Sequence, residues 1–95
     1  GERALGGELL LDRGHELLGM IALAEGRLRE AVTELERQRT ITPRMPGNAL
    51  RLGQAWQRLG DLRRARTWYR RELTIDPGNR EALDSLGVIA RKLGG

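Results

Sequence analysis

The chain has no cysteine and no phenylalanine, one histidine, one serine and, among 17 basic residues, a single lysine. Without cysteine there is no disulfide and no thiolate metal site, and the redox character of the compartment stays open. His15 and Ser85 stand alone, so a Ser–His or paired-His centre has almost no material to be built from. Lys92, the only lysine, falls in the last helical stretch, so no Gly-x-x-x-x-Gly-Lys phosphate loop exists. Acidic pairs such as Glu30 and Glu34 share a helix face with Arg37 and read as a solvated charged surface. The sequence therefore argues against an enzyme, a resident metal or a cofactor. Long apolar runs are missing too: Leu17–Ala24 is the longest, Gly19 interrupts it, and a bilayer span needs about 20 residues. No secretory leader is present, which favours the cytoplasm, but the first residue is Gly1 and not Met, so it reads as a processing boundary.

What is present is a 95-residue chain, enough for one domain with a modest core, in which Trp56, Trp68 and Tyr69 supply all the aromatic volume. The net charge is +4 and 16 of the basic residues are arginine. Arginine grips phosphate bidentately, so nucleic acid is one explanation. An arginine-preferring, GC-rich bacterial genome is the other. Thirteen glycines accompany a composition otherwise rich in Leu, Ala, Arg and Glu. Scattered glycines would weaken helices by about 1 kcal/mol each relative to alanine.

They are not scattered. Gly19, Gly53 and Gly87 are 34 residues apart, and so are Gly26, Gly60 and Gly94. The same offset superposes Leu18, Leu52 and Leu86, then Leu28 on Leu62, Ala31 on Ala65 and Leu35 on Tyr69. Thr40-Ile41-Thr42-Pro43 returns as Thr74-Ile75-Asp76-Pro77. A period of this length signals stacked supersecondary units.

Each period reads as two helices. The first unit has one from about Asp12 to Glu25, with Leu17, Leu18, Ile21, Ala22 and Ala24 at helical spacing, and a second from about Leu28 to Thr40. Gly26 separates them because glycine accepts the left-handed conformation that ends a helix, and Pro43 prevents continuation. The second unit repeats this near Asn48–Leu59 and Leu62–Ile75, with Asp61 as an N-cap. A fifth helix follows near Arg80–Leu93. Gly19, Gly53 and Gly87 lie two turns inside the first helix of each unit, where close helix–helix packing needs a missing side chain.

This pattern resembles the tetratricopeptide repeat. The second unit carries Leu52-Gly53, Trp56, Gly60-Asp61, Ala65, Tyr69, Leu73, Ile75, Asp76 and Pro77. The first carries Leu18-Gly19, Ala22, Gly26, Ala31, Leu35, Ile41 and Pro43, and a half unit carries Leu86-Gly87, Ala90, Leu93 and Gly94. His15, Ala49 and Leu83 stand where the family often has Trp, and Gln38 and Glu72 where it prefers Ala. The resemblance implies repeats over 12–45 and 46–79, a capping helix over 80–95, and a loose head or remnant of an earlier repeat over 1–11. It implies an all-α fold: a right-handed superhelical α-solenoid of five main helices whose first-of-pair helices line a concave groove. Such modules act as adaptors or scaffolds that hold a peptide or partner protein, without catalysis.

Transferred to this chain, the groove is lined by Arg13, Glu16, Met20, Leu50, Arg51, Gln54, Gln57, Arg58, Glu81, Asp84, Val88 and Arg91. Acids stand at the helix starts, apolar residues midway and bases at the ends, which suits an amphipathic or extended segment with its own charge polarity. The carboxylate clamp of chaperone-binding members is not kept: its positions fall on Glu16, Met20, Arg51, Glu81 and Ser85. Two alternatives remain. One is homo-oligomerisation through the groove or an exposed end. The other is nucleic-acid or anion binding through the helix over 62–75, where Arg63, Arg64, Arg66, Arg70 and Arg71 cluster around Trp68. Tyr69 matches a buried repeat position, leaving only Trp68 to stack on bases.

Overall fold

The structure, a computed structural model, describes residues 2–94, with side chains from Arg13 onward. Five helices follow one another: α1 (Glu2–Ala24), α2 (Leu28–Ile41), α3 (Asn48–Arg58), α4 (Leu62–Ile75) and α5 (Arg80–Lys92). Among the described residues there is no strand. Each helix packs against its neighbours in sequence, and α1 also touches α3. The helical ends agree with the sequence reading to within a residue, with one exception. α1 begins at Glu2, ten residues before the expected start at Asp12. Gly6 and Gly7 do not interrupt it, because their propensity cost is small enough for a helix to run through.

The 34-residue period is visible in the backbone. Gly26, Gly60 and Gly94 have φ of 78°, 89° and 76°. Arg27 N–H donates to the Ala22 carbonyl at 2.8 Å, and Asp61 N–H to the Trp56 carbonyl at 3.0 Å. Gly26 and Gly60 N–H reach Leu23 and Gln57 carbonyls. These paired bonds close a helix on a left-handed residue and satisfy its orphan carbonyls. Helix starts follow local chemistry as well: Asp61 Oδ1 accepts from Arg64 N–H and Asn79 Oδ1 from Ala82 N–H, both at 3.0 Å.

Two hydrophobic clusters form the core. Val32, Leu35, Ala49, Leu52, Ala55 and Trp68 make one, and Ala65, Tyr69, Ala82 and Ile89 the other. Trp56 packs against both. Fully burying a leucine such as Leu35 or Leu52 contributes about 1.5–3 kcal/mol. The internal glycines set how close the helices come. A Cβ on Gly19 would sit 2.7 Å from Leu35 Cδ2 and Cγ, and one on Gly53 would sit 2.8 Å from the Tyr69 ring. The glycine requirement therefore follows from contact with the next helix. At Gly87 the same Cβ would meet nothing within 4 Å among the described residues. Ala90, which an inward-packed capping helix would place inside, is exposed instead, on the same open side as Gly87, while Ile89 is buried and Leu86 and Leu93 rest on the core.

Candidate functional site

Gln38 and Glu72, two polar residues where the tetratricopeptide resemblance implied alanine, are both fully buried and 34 residues apart. Both reach back to the first helix of their unit. Gln38 Oε1 accepts from Glu16 N–H at 2.9 Å. Glu72 Oε1 accepts from Leu50 N–H at 3.0 Å, and its carboxylate also takes Gly47 N–H at 3.1 and 3.2 Å. Residues 16 and 50 are themselves one period apart, so the tertiary hydrogen bond repeats with the sequence. The difference in charge has a reason. α3 starts at Asn48 behind Gly47, which has no side chain to cap it, and Glu72 supplies the missing acceptor at the positive end of the helix dipole. Glu16 lies inside α1, away from the positive helix end, and there a neutral amide stands instead.

Around this frame the expected groove residues fall into two groups. Glu16 is only 5% exposed. Its oxygens accept from Asn48 Nδ2 at 2.7 Å and from Arg51 at 2.5 Å, so it is an internal ion pair and not a surface group. The burial comes from α1 and α3 lying side by side, and the paired guanidinium offsets desolvation of the carboxylate. Leu50 rests half-buried against the second core cluster. Arg58 donates to the Leu23 carbonyl at 2.8 Å, and Gln54 Nε2 to Glu81 Oε2 at 3.1 Å. Gln57 Oε1 accepts from the Tyr69 hydroxyl at 2.6 Å. Burial raises the Tyr69 pKa above its ordinary value, the Ser85 hydroxyl opposes that shift and the Glu81 charge adds to it.

The remaining members stay on the surface. Arg13, Met20, Asp84 and Arg91 are exposed and Val88 is half-exposed. Arg13 and Met20 line a pocket of about 260 Å³ with Glu16, Arg51, Met45 and Pro46. Thus Arg13, Glu16, Met20 and Arg51 come together, as do Gln54 and Glu81, whereas Asp84, Val88 and Arg91 lie along one face of α5 away from that pocket's lining. Asn48, Met45 and Pro46 were not found from sequence. For Asn48 the only available signal was the polar Gln38 at an apolar repeat position, which marked a buried polar network nearby.

The basic helix differs from expectation in one respect. Trp68 is 8% exposed and lies between Arg39 and Arg71, with guanidinium-to-ring distances of 5.1 and 4.5 Å. A base could stack on its ring only by displacing one of these arginines. Arg64 covers Trp56 at 4.6 Å and pairs with Asp61. Arg63, Arg66 and Arg70 keep guanidinium groups without a partner among the described residues. His15 Nδ1 meets Glu34 Oε2 at 2.7 Å, on the side of α1 that faces α2.

Among the described residues no group of three or more His, Asp or Glu side chains could hold a metal ion, and no helix is long and apolar enough to cross a membrane. No protein-family model and no curated protein matches the chain.

Proposed function

We propose that the chain is a tetratricopeptide-type α-solenoid module that binds a peptide or partner-protein segment along the layer formed by α1, α3 and α5, as a non-catalytic adaptor or scaffold. The observation that carries this reading is that these odd-numbered helices are tied to one another directly. Arg51–Glu16 and Arg58–Leu23 join α1 to α3, and Gln54–Glu81 joins α3 to α5. A surface pre-organised in this way loses little freedom on binding. On it stand Met20 and the basic residues Arg13 and Arg51, beside a pocket with apolar walls.

Leu50 is unsuited to a test because it supports the core. Met20→Glu and Val88→Glu change the exposed layer only. Peptide-library selection on the wild-type chain should yield binders that both variants lose at least tenfold in affinity, with far-UV circular dichroism unchanged. Undiminished binding by both variants would refute the groove reading. A second reading, homo-oligomerisation, is favoured by Leu17, Leu18 and Ile21, which are about half-exposed on α1. Sedimentation mass that stays monomeric over a hundredfold concentration range would remove it.

A further inference from the structure

The outer side of α4 and α5 is an unfilled version of a seam that is filled elsewhere in the molecule. Gly19 is covered by Leu35 and Gly53 by Tyr69, whereas Gly87 is covered by nothing. Beside it, Arg63, Arg66 and Arg70 of α4 and Leu86, Gly87 and Ala90 of α5 line an open pocket of about 420 Å³. The pocket lies where α4 and α5 both border it, so a helix seated there would touch both.

The charges specify which helix. In the filled seam, Val32 and Glu36 of α2 share a pocket with Arg64, Thr67 and Trp68 of α4. One period later Val32 becomes Arg66 and Glu36 becomes Arg70. An apolar and an acidic contact have both turned basic, so another copy of α4, with its own Arg64, would meet like charge. We infer that this face docks an amphipathic α-helix from a protein partner, with an acidic row against Arg63, Arg66 and Arg70 and a bulky apolar residue over Gly87. Among the described residues the three guanidinium groups have no partner to give up, so pairing costs no described contact. The surface is distinct from the layer of α1, α3 and α5, so it stands or falls separately from the groove.

The test uses the intact chain and a stapled 14-residue helical peptide with the Leu62–Ile75 sequence altered by Arg64→Glu, Thr67→Glu and Arg71→Glu. In the filled seam these α4 positions face α2 or flank Trp68. Fluorescence anisotropy should show at least tenfold tighter binding than for the stapled unaltered sequence. The triple variant Arg63→Glu, Arg66→Glu, Arg70→Glu should lose at least tenfold. Gly87→Leu should lose a similar factor with its thermal midpoint not lowered, which keeps the test decisive if the triple variant misfolds. Equal binding of the two peptides, no binding of the acidic one, or undiminished binding by Gly87→Leu would overturn the proposal. So would tighter capture of a duplex DNA by the same arginines, or a dimer of the free chain that Gly87→Leu dissociates.

Discussion

Three glycines at one repeat position should respond oppositely to the same substitution. Gly53→Ala places a methyl 2.8 Å from the Tyr69 ring, well inside van der Waals contact. Tyr69 is almost fully buried and its hydroxyl is held by Gln57, so the ring has little room to retreat. Overpacking of this kind costs about 1–3 kcal/mol, against about 1 kcal/mol gained in helix propensity. The net expectation is a loss of up to about 2 kcal/mol. Gly19→Ala meets Leu35 at 2.7 Å and should also lose stability. Gly87→Ala meets nothing and should gain about 0.5–1 kcal/mol. For a domain of this size, 1 kcal/mol moves the midpoint of thermal unfolding by about 4–8 °C. Circular dichroism melts of the three variants are therefore enough. If Gly53→Ala stabilised the chain as much as Gly87→Ala does, the close approach of α3 and α4 would be refuted, and with it the idea that Gly87 marks an empty seat.

Two further outcomes follow from the polar frame. Glu72→Ala should cost about 1–3 kcal/mol in urea unfolding because Gly47 and Leu50 amides lose their acceptor. Gln38→Glu should cost at least as much, since it places a charge at a fully buried site away from the positive end of α1; a neutral result for either would contradict the assignment. Stability should also fall as pH rises above about 10: the unfolded tyrosine ionises there while burial keeps folded Tyr69 protonated, so the unfolded state binds fewer protons and gains. Tyr69→Phe should flatten that slope in pH-dependent urea titrations, and an unchanged slope would assign it elsewhere.

Much of the fold was legible because it rests on local backbone chemistry. A glycine that must take positive φ, a proline that cannot continue a helix and an aspartate that caps one announce themselves by residue type, and Gly26, Gly60 and Asp61 do so here. The early start of α1 was not legible, since Gly6 and Gly7 lower helix propensity without forbidding helix. The surface was read less well than the fold. Helical spacing shows which face Glu16 shares, but not that Arg51 and Asn48 from a helix more than thirty residues away would close over it. Trp68 likewise looked free: Arg71 is its neighbour one turn on in α4, but Arg39 comes from α2. Gln38 and Glu72 were visible as departures from the repeat, but their purpose depended on which amides lay opposite.

Trp56 belongs half to each hydrophobic cluster, with its indole Nε1 buried and unpartnered among the described residues. In a chain of stacked units, stability divides into what each unit holds alone and what neighbours hold together. A side chain shared by both clusters shifts weight to the second part, since neither cluster is complete while the other is open. Partial unfolding from one end therefore forfeits packing at both, and the molecule should melt as one body and not peel unit by unit.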